Sequence, residues 1–308
     1  LVATMKMRGR LDNFYLDAHD LEIKESKVNI TATRLMGCDL DIALQDTVVI
    51  DTTTSEPTTW QIAFANVQIG DSRIAFHTAN DTISVCTVIE NLDLKSGSFD
   101  LAKNVLQVAK LNLNADYIRY DQNYEPKVQG MDFNHLLLSG MELSLPSIDY
   151  DLNANHLKTT LSSLCFKEKC GFQLDQLSAD VELDATGIVI DDALLKTPTS
   201  QFKAWADVDW TALVPREQGG AVVSAAQGKS SSGVSSSGRM DVKLSANFSK
   251  QDVMYFVGEG LPQSIREQYP DVMLTAEVDI TGNVDKVDVK SFRVVMPNMV
   301  DATVRGGA

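Results

Sequence analysis

Alternation of apolar and polar residues dominates the stretch from residue 10 to residue 210. Leu111 and Leu113 are separated by one polar residue, and Val181 and Leu183 repeat that spacing. A period of two places successive side chains on opposite faces of a β-strand, so one face is apolar and the other is polar and exposed to solvent. Helical periodicity is nearly absent from this stretch. The pattern therefore predicts an antiparallel β-meander in which every strand contributes to one apolar face.

A longer template repeats within the alternation. Segments 64–76 and 89–101 both carry apolar residues at offsets 0, 3, 5, 10 and 12, and Asn66 and Asn91 share offset 2. The template also fits segments that begin at residues 18, 133 and 178, so most copies start about 45 residues apart. We interpret each copy as a strand, a short polar turn and a second strand. Any array of hairpins produces similar fits, but the shared Asn and the near-constant interval favour a true repeat.

Composition divides the chain into three parts. Residues 1–215 carry the repeated hairpin pattern, whereas residues 216–239 are rich in Gly, Ser and Ala. Such a segment cannot bury enough apolar surface to offset the entropy lost on ordering it, so it predicts a flexible loop. Alternation resumes after the loop, and residues 240–308 predict further strands that continue the same sheet.

Two short helices are predicted within 250–269. Ser249 and Asp252 fit a capping box, in which each side chain accepts a hydrogen bond from an amide that the helix itself leaves free. Pro262 suits the first turn of a second helix, and Pro270 ends it. The predicted fold class is therefore all-β and mainly antiparallel, with these helices as its exception.

Cys165 and Cys170 enclose four residues, three of them charged. If the segment forms a tight hairpin, the two thiols lie opposite each other at disulfide distance, which suits an oxidising compartment. The alternative is a pair of half-buried thiols that flank a turn. The four histidines are scattered and none lies beside a cysteine, so no metal site is predicted.

Charge and motif content exclude several classes of function. The chain has 27 basic and 42 acidic residues, for a net charge of −15. An acidic chain repels phosphate backbones and anionic head groups, which argues against binding to nucleic acid or to charged membrane surfaces. Apolar runs are too short to span a bilayer, and no nucleophile, phosphate-loop, zinc or calcium motif occurs. We therefore predict a non-enzymatic chain with no cofactor, no metal and no transmembrane segment.

The apolar face of such a sheet needs a cover. On pattern alone a second sheet is the commoner cover, which would give a β-sandwich that acts as an interaction scaffold with a filled core. If the sheet curls without closing, the face becomes an open β-groove that can hold acyl chains. A second alternative is a β-helix that binds or hydrolyses carbohydrate through exposed carboxylates such as Asp191 and Asp192 and through Trp205 and Trp210. That fold needs a shorter repeat than about 45 residues.

Two segments carry a family likeness. Segment 89–101 reads I-x-N-L-x-L-x-x-G-x-F-x-L, and segment 261–297 combines a Pro-containing helix with a strand, a Gly-Asn turn and another strand. Both resemble AsmA-like proteins, particularly the TamB translocation and assembly module group. The resemblance implies an elongated, curled β-sheet whose apolar interior forms an open groove. Carried over to this sequence, the groove-lining positions are the apolar template residues Val67, Ile69, Ile74, Phe76, Leu92, Leu94, Phe99, Leu101, Leu136, Leu138, Leu143 and Leu145.

The same resemblance implies a location and partners. Proteins of this group are periplasmic, are anchored to the inner membrane, and take part in moving phospholipid towards the outer membrane or in assembling outer-membrane proteins. The expected partners are therefore phospholipid acyl chains and a component of outer-membrane assembly. The chain begins at Leu1 and carries neither the membrane helix nor the C-terminal domain of that group, so we expect it to be a segment of a longer protein.

Overall fold

Fourteen strands form one sheet, and their order in the sheet is their order in the chain. The structure is a computed structural model and describes residues 2–49, 59–78, 82–214, 238–257 and 260–307. All neighbouring strands are antiparallel except β2 and β3, which are parallel. The strands are β1 (Val2–Glu22), β2 (Lys27–Val49), β3 (Gln61–His77), β4 (Ile83–Asp100), β5 (Val105–Gln122), β6 (His135–Asp151), β7 (His156–Glu168), β8 (Gln173–Leu183), β9 (Gly187–Lys196), β10 (Gln201–Asp209), β11 (Met240–Phe248), β12 (Leu274–Asn283), β13 (Lys286–Met296) and β14 (Val300–Gly307).

The predicted all-β, mainly antiparallel fold is confirmed. Every described strand belongs to the same hydrogen-bonded sheet, and one pair of described neighbours is parallel. Strand β11 pairs with β10, and the strands that follow residue 240 therefore extend the sheet. Residues 216–237 of the predicted loop lie outside the described residues.

Three template copies follow single long strands, which corrects the prediction of a turn inside every copy. Segment 64–76 lies within β3, segment 89–101 follows β4, and the copy that starts at residue 133 follows β6. The copies that start at residues 18 and 178 do span two strands. In β3 the polar interruptions are kinks inside a continuous strand. Pairing with β4 skips Asn66 and Asp71, whose φ angles are 49° and 47°, and the register is the same on both sides of each skip.

Kinks of this kind line up across neighbouring strands in two rows. The first row consists of the skipped residues Asn66, Lys95, Lys110 and Pro146. The second consists of Asp12, Gly37, Asp71, Glu90, Asp116 and Gly140. Left-handed backbone at Gly37, Asn66, Asp71, Lys110 and Gly140 interrupts the pleat and shifts the alternation by one residue, which keeps apolar side chains on one face across the bend. Two adjacent residues then lie on the polar face, as expected if that face is the outer, longer side of the bend.

The length of the chain between β2 and β3 independently requires a curved strand. If β2 were straight, Lys27 and Val49 would lie about 73 Å apart, at about 3.3 Å per residue. Gln61 comes only twelve residues after Val49, so the two are at most about 43 Å apart. Because Gln61 pairs with Lys27, the two ends of β2 lie within about 48 Å of each other. The sheet is therefore curled. We infer that the apolar face is its concave side, because the extra residue at each interruption of the alternation lies on the polar face.

The two short helices occur where they were predicted, as α1 (Lys250–Val257) and α2 (Gln263–Gln268). One half of the predicted capping box forms, because the amide of Asp252 donates to Ser249 Oγ at 3.1 Å. The other half was wrong. The Asp252 carboxylate instead accepts from the hydroxyls of Thr197 at 2.6 Å and Thr199 at 3.0 Å, which ties α1 to the turn between β9 and β10.

Candidate functional site

One row of apolar side chains crosses the whole sheet. Each strand contributes one residue, and each residue is the register partner of the next. We call it the central row; at about 4.8 Å per strand it is about 62 Å long. No member carries a charge or a polar group. In strand order it consists of Phe14, Leu35, Ile69, Leu92, Leu113, Leu143, Leu164, Leu177, Leu195, Phe202, Ala246, Ala276, Val294 and Ala302.

Eleven of the twelve predicted groove residues lie on this apolar face. Ile69, Leu92 and Leu143 belong to the central row. Parallel rows hold the others: Val67, Leu94, Leu111 and Leu145 in one; Ile74, Thr87, Ile118 and Leu138 in a second; Phe76, Val85, Tyr120 and Leu136 in a third; and Ile62, Phe99 and Leu106 in a fourth. Leu101 is the exception, because it lies in the turn after β4, where its amide donates to the Trp60 carbonyl.

All twelve predicted residues are half-buried. A filled core would bury such side chains completely, as the interiors of ordinary domains do. Within the described ranges, five of the ten fully buried apolar residues are alanines, which need little cover: Ala75, Ile89, Val108, Ala115, Met131, Phe172, Leu174, Ala212, Ala246 and Ala276. The large aliphatic side chains of the concave face are therefore left partly accessible.

Part of the concave face is covered at the ends of β6 to β9. Met131, Phe172 and Leu174 form a buried cluster there, which we call the rim cluster. Helix α1 packs on it: the Tyr255 and Phe256 rings meet the Phe172 ring edge-on, at 6.0 and 5.1 Å between centroids. The Met131 amide also donates to the Tyr255 carbonyl at 2.7 Å. Three central-row residues contact the rim cluster, namely Leu164, Leu177 and Leu195.

Neither the β5 rows nor the rim cluster was predicted from the sequence. Leu111 and Leu113 alternate with polar residues, which predicts a strand. The sequence of β5 does not fit the repeat template, so these leucines were not among the predicted groove residues. The rim cluster unites the loop before β6, the turn between β7 and β8, and α1. These segments are far apart in sequence and share no periodic signal that would have joined them.

The polar face carries the charge. His156 and Lys158 both contact the Glu182 carboxylate, at 2.9 and 3.1 Å, and their hydrogen bonds hold the pKa of Glu182 below its usual range. Arg73 pairs with Asp39 at 2.7 Å on the same face. Exposed ion pairs of this kind add little to stability. They show that the two faces of the sheet differ: charged side chains lie on the outer face and aliphatic side chains lie on the inner face.

Cys165 and Cys170 are free thiols in the structure. The register pairs Phe166 with Leu174, so the turn lies at 169–172, further along the chain than predicted. Phe166 and Cys170 both pack against the rim cluster, whereas Cys165, next to Phe166 on the strand, points to the opposite face. The tight hairpin that would have set the two thiols opposite each other is therefore not formed.

Cys170 is expected to react slowly with alkylating reagents. Burial, with a smaller contribution from the neighbouring Glu168, raises the pKa of its thiol from 9.0 to about 11. The thiolate is the reactive form, so at pH 8 alkylation by iodoacetamide should be about 100-fold slower than for an unperturbed cysteine. The rate should rise about tenfold per pH unit up to pH 10. Peptide mass spectrometry over a time course measures it, and a rate equal to that of a cysteine peptide would contradict the prediction.

Two further classes of feature were sought in the part of the chain that the structure describes. No helix there combines the length and the hydropathy needed to cross a bilayer. No three side chains among His, Cys, Asp and Glu of those residues approach one another closely enough to hold a metal ion.

No protein-family model matches the chain, and no curated protein matches it significantly.

Proposed function

We propose that the concave face binds the acyl chains of phospholipids and shelters them from water as they move along the sheet. The observation that carries this proposal is the central row, in which fourteen strands supply fourteen consecutive apolar side chains. A row perpendicular to the strands lets an acyl chain pass from one strand to the next without crossing a polar group. The half-buried state of the large side chains leaves them able to contact such a ligand.

The energetics favour lipid tails over head groups. Each methylene removed from water contributes about 0.8 kcal/mol, so an acyl chain binds such a face without any polar contact. The hydrocarbon of one leaflet is about 15 Å thick, half of a bilayer core, and the central row is about four times as long. The net charge of −15 disfavours capture of an anionic head group. The ligand is therefore held by its tails, with its head group towards solvent.

This proposal agrees with the AsmA- and TamB-like pattern in the sequence. Under it, the chain is a non-enzymatic periplasmic segment of a protein anchored to the inner membrane, and its curled sheet forms part of a path for phospholipid between the two membranes. Support comes from the curl, from the unbroken central row and from the segregation of charge to the outer face. A role in the assembly of outer-membrane proteins would use the same face for apolar protein segments.

Site-specific photo-crosslinking distinguishes these ligands. A benzophenone amino acid is placed at Leu143, on the central row, and in a matched variant at Ser144, which bonds Asn112 on the polar face. The variants are expressed in Gram-negative cells whose phospholipids carry radioactive phosphate, and then irradiated. We expect a labelled adduct at residue 143 and none at residue 144. Equal labelling at both positions, or adducts at residue 143 that contain protein without lipid, would contradict the proposal.

A further inference from the structure

Helix α1 does not fill the space between itself and the sheet. Beyond the rim cluster, a cavity of about 340 Å³ remains between α1 and the ends of β9 to β11. We call it the α1 chamber. Its walls include Phe172, Leu195, Phe202, Phe248, Val253 and Phe256. An unfilled apolar cavity leaves its lining without contact partners on one side, so an apolar occupant would stabilise the chamber.

The walls of the chamber are braced from several sides. The rings of Phe202 and Phe248 meet edge-on with their centroids 4.4 Å apart, and Phe172 braces Phe256 across the opposite wall. The hydrogen bonds from Thr197 and Thr199 to the Asp252 carboxylate hold the start of α1 on the β9–β10 turn. These contacts keep the helix from settling into the space below it.

The polar groups of the chamber are already satisfied. Thr197 and Asp252 are its two polar lining residues, and they are bonded to each other at 2.6 Å. Neither has a buried side-chain polar atom without a partner. The chamber therefore presents no donor or acceptor that calls for a polar ligand, and its occupant must be apolar.

The position of the chamber on the sheet identifies the kind of apolar occupant. Leu195 and Phe202 line the chamber and are also consecutive members of the central row. The rim cluster, to which Phe172 belongs, closes the side towards β7. Phe256 and Val257, which are 48% and 47% exposed, form the mouth. At about 30 Å³ per non-hydrogen atom, the chamber holds about ten carbons.

We propose that the α1 chamber binds the methyl end of a single acyl chain. The inference rests on the proposed function, because it assumes that acyl chains reach the concave face. It adds a fixed binding position to that face. The terminal carbons of the chain lie in the chamber against Leu195 and Phe202, and its carboxyl end stays outside.

Two photoreactive fatty acids test the chamber in the purified 308-residue chain. One carries a diazirine near the methyl end and the other carries it near the carboxyl end, and the adducts are mapped by peptide mass spectrometry. We expect the methyl-end probe to label Leu195, Phe248 or Val253, and the carboxyl-end probe to label these residues at least tenfold less. Leu195→Trp, which fills the chamber, should reduce methyl-end labelling at least tenfold.

Matched variants separate the chamber from the rest of the face. Leu194→Trp adds the same ring next in sequence but on the polar face and should leave labelling unchanged. If Leu195→Trp loses its strand content by circular dichroism, Val257→Trp at the mouth replaces it. Methyl-end adducts at Leu92 or Leu143 with none in the chamber would overturn this inference and leave the proposed function standing. Labelling no stronger than at Val128, which is 93% exposed, would overturn both.

Discussion

If the concave face binds phospholipid as proposed, replacing Leu113 by Glu is expected to remove most of the lipid that copurifies with the chain. Leu113 lies on the central row between its register partners Leu92 and Leu143. The substitution removes contacts with about four methylenes, worth about 3 kcal/mol, which corresponds to about 100-fold in affinity. The carboxylate adds a further penalty, because an acyl chain lying over it would strip its water without offering a partner.

The measurement is native mass spectrometry of the protein after expression in a host that supplies phospholipid. The fraction of protein that carries lipid should fall at least tenfold in Leu113→Glu. Asn112→Glu is the matched control: it adds the same charge one residue earlier, on the exposed polar face, and should leave the lipid-bound fraction unchanged. Retention of lipid by Leu113→Glu, with its strand content intact, would show that the central row is not the contact surface.

The fold class followed from the sequence because alternation is a direct consequence of strand geometry. Most strands place apolar and polar side chains on fixed sides over many residues, and no tertiary contact is needed to reveal that. The curl was harder to anticipate from residues alone. The kinks on neighbouring strands coincide, and only the pairing register shows that Asn66 lies level with Lys95 and Lys110.

The mistaken turns have a physical cause in common. A kink of this kind and a hairpin turn both need a residue that tolerates a left-handed backbone, and both use Asn, Asp or Gly for it. Gly140 has a φ of 58° inside β6, where the sequence suggested a turn between Leu138 and Leu143. The strand pairing on either side of such a residue distinguishes the two structures, because the chain reverses at a turn and continues in the same direction through a kink.

Tyr117 shows that counting every second residue assigns a side chain to the wrong face when the strand contains a bulge. Counting by twos from Leu111 and Leu113 puts Tyr117 on the apolar face. In the structure the pairing skips Asp116, which shifts the alternation, and the Tyr117 hydroxyl lies 3.9 Å from Cys86 Sγ on the polar face. Ile118 takes the place on the apolar face instead. Period-two patterns therefore identify strands well, but they assign faces correctly only between bulges.

Replacing Phe172 by Ala is expected to release α1 from the sheet without unfolding the strands. Phe172 is 5% exposed, and its ring meets those of Phe166, Tyr255 and Phe256. Truncating a buried Phe to Ala costs about 3–5 kcal/mol. Since 1.4 kcal/mol corresponds to tenfold, amide hydrogen exchange in α1 and at Met131, whose amide donates to Tyr255, should accelerate about 100-fold or more.

The release is local because the sheet does not depend on the rim cluster. Strands β3 to β6 are held by their own ladders, so their exchange rates should remain within about threefold of the original protein in Phe172→Ala. Leu92→Ala provides the opposite control: it truncates a half-buried central-row residue, costs about 1 kcal/mol, and should leave α1 protected. If α1 exchanges equally slowly in both variants, the rim cluster does not hold the helix, and the wall of the α1 chamber must be fixed by the Asp252 hydrogen bonds alone.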